Sequence, residues 1–142
     1  VTPSTSAPAT PSVKASGTLA FYMTVSKALA GTCKTVSGDP TITLADHANE
    51  FYKTVDATVV LDAKKAAVTS VKAALGEDQE GFAWKLSYQS PNSDKGTSAA
   101  LKVAGNTYTI SGKLTAKETR GSKTITETLP FTIVATCAGS KW

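Results

Sequence analysis

The sequence predicts an all-β chain, an antiparallel β-sandwich or strongly curved sheet, with room for one short helix and tied by one disulfide. Three observations predict it. Thr107 to Ala116 alternates strictly, with Tyr108, Ile110, Gly112, Leu114 and Ala116 on one parity and Thr107, Thr109, Ser111, Lys113 and Thr115 on the other. Leu129 to Cys137 repeats the pattern with Leu129, Phe131, Ile133, Ala135 and Cys137. Period-two alternation marks a strand with one face on a core and one in water. Turn residues recur between such runs, as a chain of short antiparallel strands requires.

Residues 1–16, VTPSTSAPATPSVKAS, are rich in Pro, Ser and Thr. Such a segment buries too little apolar surface to offset its ordering entropy and reads as a flexible stalk ahead of a single β domain over 17–142. Thr2, Ser4, Thr5, Ser6, Thr10 and Ser12 are candidate O-glycosylation sites, and no Asn-x-Ser/Thr acceptor occurs. A first strand follows from Gly17, with Leu19, Phe21, Met23 and Val25 on one parity. Ser37 to Pro40 is a turn, and Thr41 to Leu44 a short strand with Ile42 and Leu44 inward.

Ala45 to Lys53 reads either as loop or as a turn or two of helix, with Asp46 a possible N-cap. Val55, Ala57, Val59 and Leu61 define a clear strand. Ala63 to Leu75 carries the alanines and lysines of a helix. It sits between two good strands, so Lys64–Lys65 is taken as a hairpin turn and Val68 to Leu75 as a strand. Glu77 to Gly81 is an acidic turn without the ligand spacing of a calcium loop. Phe82, Trp84, Leu86 and Tyr88 form the most aromatic strand, and Ala99, Leu101 and Val103 another, which Gly105–Asn106 turns into Thr107. Arg120 to Ser122 makes the last turn, and Trp142 has no visible role.

Composition narrows function mainly by exclusion. The formal charge of +4 comes from fourteen lysines and one arginine against eleven acids, spread evenly. Arginine is the residue that forks onto phosphates and bases, so one arginine argues against nucleic-acid binding. No apolar run approaches the ~18 residues of a membrane-spanning helix. The chain starts at Val1, which leads to the expectation of a secretory signal removed upstream.

Cys33 and Cys137 are the two cysteines, and an even, minimal, widely spaced pair favours one disulfide in an oxidising compartment. Two buried thiols or a metal pair are the alternatives, although a metal needs more ligands than two cysteines and the single His47 supply. His47 lies in a polar stretch without a nucleophile elbow, so no catalytic residues, cofactor or metal are expected.

Four segments resemble, in order, the mycobacterial nineteen-kilodalton lipoprotein antigens: CKTVSGDPTITL, ATVVLDAKKAAVTSVKAALG, AGNTYTISGKLTA and LPFTIVATC. They span Cys33 to Cys137. Leu44 to Val55 departs from the family pattern, being longer and more aromatic. The resemblance implies a cell-envelope lipoprotein, extracytoplasmic and anchored in the membrane by an acylated cysteine upstream of Val1, with a stalk open to mannosylation. It implies that Cys33 and Cys137 pair, and that Val68 to Leu75 is strand. It brings no catalytic residues. Its roles lie in immune recognition and adhesion, with a host receptor as partner and innate-receptor activity residing mainly in the acyl chains.

The competing expectation is a carrier of a lipid or other apolar envelope molecule, as other mycobacterial lipoproteins bind acyl chains within a curved sheet. Large apolar residues recur on successive strands, with Phe51 and Tyr52 between them. Phe21, Met23, Phe82, Trp84, Tyr88, Tyr108 and Phe131 are the candidate pocket residues. A chain this small has little apolar volume to spare for such a cavity.

Overall fold

A computed structural model describes residues 12–21, 23–76, 81–90 and 95–142. They form nine strands: β1 (Ser12–Phe21), β2 (Met23–Val36), β3 (Asp39–Asn49), β4 (Lys53–Leu61), β5 (Val68–Leu75), β6 (Phe82–Gln89), β7 (Ser98–Ala104), β8 (Thr107–Arg120) and β9 (Lys123–Cys137). No helix occurs among the described residues. Consecutive strands from β1 to β6 pair antiparallel, β6 pairs β8, β8 pairs β9, and β9 returns to β1. Eight strands therefore close into a barrel, and the expectation of a sandwich is corrected to a sheet curved until its edges meet.

Closure depends on how β8 is shared. Its C-terminal half pairs with β6, from Phe82↔Arg120 to Ser87↔Thr115. Its N-terminal half pairs with β7, from Ser98↔Lys113 to Ala104↔Thr107. β7 thus lies outside the ring of eight. Its Ala99 and Leu101 pack partly against the core, and Val103 is 46% exposed.

Inward parity fills the barrel. Leu19, Leu29, Ile42, Leu44, Val55, Val59, Leu61, Val71, Leu86, Ile110, Leu114 and Ile133 are all essentially inaccessible and belong to one core. Eight strands make a barrel whose interior side chains can just fill it. Outward positions are polar, as in Asp56, Lys72, Lys85 and Lys117. A membrane barrel, apolar outside and polar within, has the inverse arrangement.

Tight curvature brings backbone onto backbone where a Cβ would collide. A Cβ on Gly31 would lie 1.7 Å from the Thr43 carbonyl oxygen, and one on Gly17 2.1 Å from that of Val134. Glycine inside a strand is the residue that permits such an approach.

Several local expectations change. The single strand expected from Leu19 to Val25 is two: β1 ends at Phe21, β2 begins at Met23, and the two pair antiparallel with Phe21 opposite Met23. The alternation of Leu19 to Val25 runs on without a Gly, Pro or Asn to mark the end of a strand. β1 begins at Ser12, so 12–16, assigned to the stalk, are strand opposite Lys34 to Ala30. Ala45 to Lys53 is neither helix nor plain loop: β3 runs on to Asn49, a short turn follows, and β4 starts at Lys53. Val68 to Leu75 is strand as expected, despite its helical composition, because ladders to β4 and β6 hold it on both sides. The acidic turn falls mostly outside the described residues.

Candidate functional site

Cys33 and Cys137 form the disulfide, with Cα atoms 6.0 Å apart and 104 positions between them in sequence. Free thiols and a metal pair are thereby set aside. Cys33 lies opposite Val13 and Cys137 opposite Ala15, so the bridge joins β2 to β9 across the inner face of β1. Both cysteines are buried. Trp142 closes the same end. It is buried, its ring meets that of Tyr108 edge-on at 5.5 Å, and Lys65 Nζ stands 3.9 Å above it. Lys65 Nζ also donates to the Trp142 main-chain oxygen at 3.1 Å. Burial raises the Tyr108 phenol above its ordinary value. The role invisible in the sequence is that of a plug.

Of the candidate pocket residues, Phe21, Trp84, Tyr108 and Phe131 are core. Phe21 and Trp84 meet edge-on at 5.2 Å, and Phe21 pairs with Phe131 across β1 and β9. Tyr108 is engaged with Trp142 instead. Tyr88 packs partly against the core, and Phe82 lies under the Arg120 guanidinium at 4.5 Å. The side chain of Met23 is outside the described residues. Phe51 is 47% exposed beside a buried Tyr52. Ser12 is an exposed first residue of β1, and Thr2, Ser4, Thr5, Ser6 and Thr10 lie outside the described residues.

The one arginine has a structural task. Arg120 Nε donates to Glu118 Oε1, and Glu118 is only 7% exposed on the inner parity of β8. A buried carboxylate requires such a partner.

At the β3–β4 end, Asp46 organises the turn. Ser26 Oγ donates to its Oδ2 at 2.8 Å, Asn49 Nδ2 at 3.2 Å, and the Ala48 amide to its Oδ1 at 3.1 Å. The Ser26 hydrogen bond chiefly lowers its pKa, against a partial desolvation that raises it. This aspartate fastens β2 to the turn and caps no helix. His47 is exposed, with Nε2 2.8 Å from Asp56 Oδ1. No nucleophile accompanies that pair in the hydrogen bonds described, and no cluster of His, Cys, Asp or Glu suited to a metal occurs among the described residues.

A hollow of about 400 Å³ lies on the outer wall. Asp56 and Thr58 of β4, Lys72 and Ala74 of β5, Lys85 and Ser87 of β6, and Lys117 of β8 line it. Smaller hollows of about 330 Å³ and 220 Å³ lie beside the Asp46 turn and beside Phe21 and Phe131. Sequence reasoning could not find the outer groove, because its lysines are far apart along the chain and meet only through the β5–β6 and β6–β8 ladders.

The family model described as Mycobacterium 19 kDa lipoprotein antigen matches residues 23–137, from the start of β2 to the second cysteine. No match was found among curated proteins or among solved structures. The chain belongs to the mycobacterial 19 kDa lipoprotein antigen family.

Proposed function

We propose that this protein is a cell-envelope antigen domain, displayed at the surface on a lipid anchor and stalk, that acts in host recognition or adhesion and not as a catalyst. Family membership carries the reading. The fold supports it in two ways. The inward side chains form one buried core, so contacts with other molecules fall to the polar outer wall and the turns. The disulfide suits an oxidising, extracytoplasmic setting. The carrier of an apolar molecule is the weaker reading, since Phe21, Trp84, Tyr108 and Phe131 are spent on packing.

The test is expression with the native signal in an acid-fast host. An antibody to the folded domain should stain intact cells, and the purified protein should carry an acyl mass. Staining only after lysis, or a protein without acyl mass, would overturn the proposal.

A further inference from the structure

We propose that the outer groove over β4, β5, β6 and β8 binds a phosphate-type oxyanion through Lys72, Lys85 and Lys117. This goes beyond the antigen reading and does not depend on it. Two rows of side chains cross the groove. Asp56 is opposite Ala74, Ala74 opposite Lys85, and Lys85 opposite Lys117. Thr58 is opposite Lys72, and Lys72 opposite Ser87. Opposed residues stand roughly 4.5–5.5 Å apart at Cβ and diagonal ones ~7–8 Å, so Lys85 has Lys117 directly opposite and Lys72 on the diagonal, while Lys72 and Lys117 flank it from two strands apart.

Like charges placed directly opposite on neighbouring strands are destabilising, and Lys85 faces Lys117. Among the described residues, none of the three lysines pairs with a carboxylate; the contacts to carboxylates are the His47–Asp56 hydrogen bond and the Arg120–Glu118 ion pair. Asp56 is the acid that lines the groove among the described residues; its Oδ1 lies 2.8 Å from His47 Nε2, and it stands two strands from Lys85, beyond Ala74. An anion between the ammonium groups turns this repulsion into attraction.

The shape fits a small ligand. Long side chains rise around Ala74, Thr58 and Ser87, whose short side chains leave the hollow of about 400 Å³. Small-molecule sites begin at roughly 300 Å³. Lysine offers a point charge on a flexible stem, suited to the distributed oxygens of a phosphate, and Thr58 and Ser87 add hydroxyl donors. Among the described residues no aromatic side chain lines the groove for a base to stack on, which favours the phosphate group over a nucleic-acid strand. A phospholipid headgroup and a soluble phosphate ester share this chemistry.

The experiment is an NMR titration of the full chain with inorganic phosphate at constant ionic strength, chloride replacing phosphate in the reference. Saturable amide shifts are expected at Thr58, Lys72, Ala74, Lys85, Ser87 and Lys117. Each of Lys85→Gln and Lys117→Gln should weaken phosphate by roughly tenfold at low salt. Both variants should melt in chloride at or above the temperature of the parent, since repulsion is relieved. Shifts that never saturate, or that spread equally to Lys14, Lys34 and Lys102, would overturn the site. Co-sedimentation with phosphatidylglycerol and phosphatidylcholine vesicles separates the sources. Phosphate-displaceable, Lys85-dependent binding to the anionic vesicles assigns a headgroup; saturable phosphate without vesicle binding assigns a soluble ester. Vesicle binding indifferent to both substitutions counts against the proposal.

Discussion

Removing the disulfide should cost this barrel a large part of its stability. The bridge closes a loop of 104 positions, nearly the whole domain. Loop-closure entropy for about 100 residues corresponds to about 4.7 kcal/mol at 25 °C. Cys33→Ala with Cys137→Ala removes that constraint and leaves a small void at two buried positions. Alanine is the right replacement, because serine would bury two hydroxyls. At about 3–5 °C per kcal/mol for a domain of this size, melting should fall by about 15–25 °C. Urea unfolding, followed by fluorescence of Trp84 and Trp142 and by circular dichroism, gives the free energy directly. A loss below about 1 kcal/mol, with an unchanged urea slope, would refute the reasoning. It would mean that pairing to β1 alone holds β2 and β9, and that the bridge restrains little in the unfolded chain.

Other outcomes follow from particular contacts. Gly31→Ala drives a Cβ to 1.7 Å from a backbone oxygen and should cost about 3 kcal/mol in urea unfolding, whereas Gly38→Ala, in open space at a left-handed turn position, should cost about 1 kcal/mol. Arg120→Ala leaves the buried Glu118 without its guanidinium and should cost about 1–3 kcal/mol, which Glu118→Gln in the same chain should partly restore. Asp46 has a folded pKa below its ordinary 3.8, so its contribution is present above that value and is lost as pH falls through the folded one. Asp46→Asn should therefore flatten the fall in urea midpoint as pH drops below 3.8 while lowering stability at neutral pH.

How far the sequence foretold this structure depends on where the information lay. Val55 to Leu61, Thr107 to Ala116 and Leu129 to Cys137 are legible because each alternates over a full strand and their odd or even parity matches the buried face. Val68 to Leu75 was legible only against its own helix propensity, since tertiary ladders outweigh a preference of tenths of a kcal/mol per residue. The division between β1 and β2 is hidden because the alternation from Leu19 to Val25 continues without a break. Ala45 to Lys53 is hidden because ladder pairs to β2 and β4 and side-chain bonds such as Ser26 to Asp46, twenty positions apart, hold it. Barrel closure rests on β6 pairing with β8 past an intervening β7, a choice no local pattern records. The same is true of the lysine groove, and of Trp142, whose partners Lys65 and Tyr108 are distant in sequence.

The central claim is that the interior of this barrel is its own core, leaving the outer wall and turns for recognition. Native mass spectrometry of the protein made in an acid-fast host, repeated after denaturation, tests it most directly. The account predicts no apolar molecule released on denaturing, and a covalent mass lacking the two hydrogens of the disulfide. Release of a stoichiometric acyl or other apolar compound would contradict it and move the carrier reading to the front.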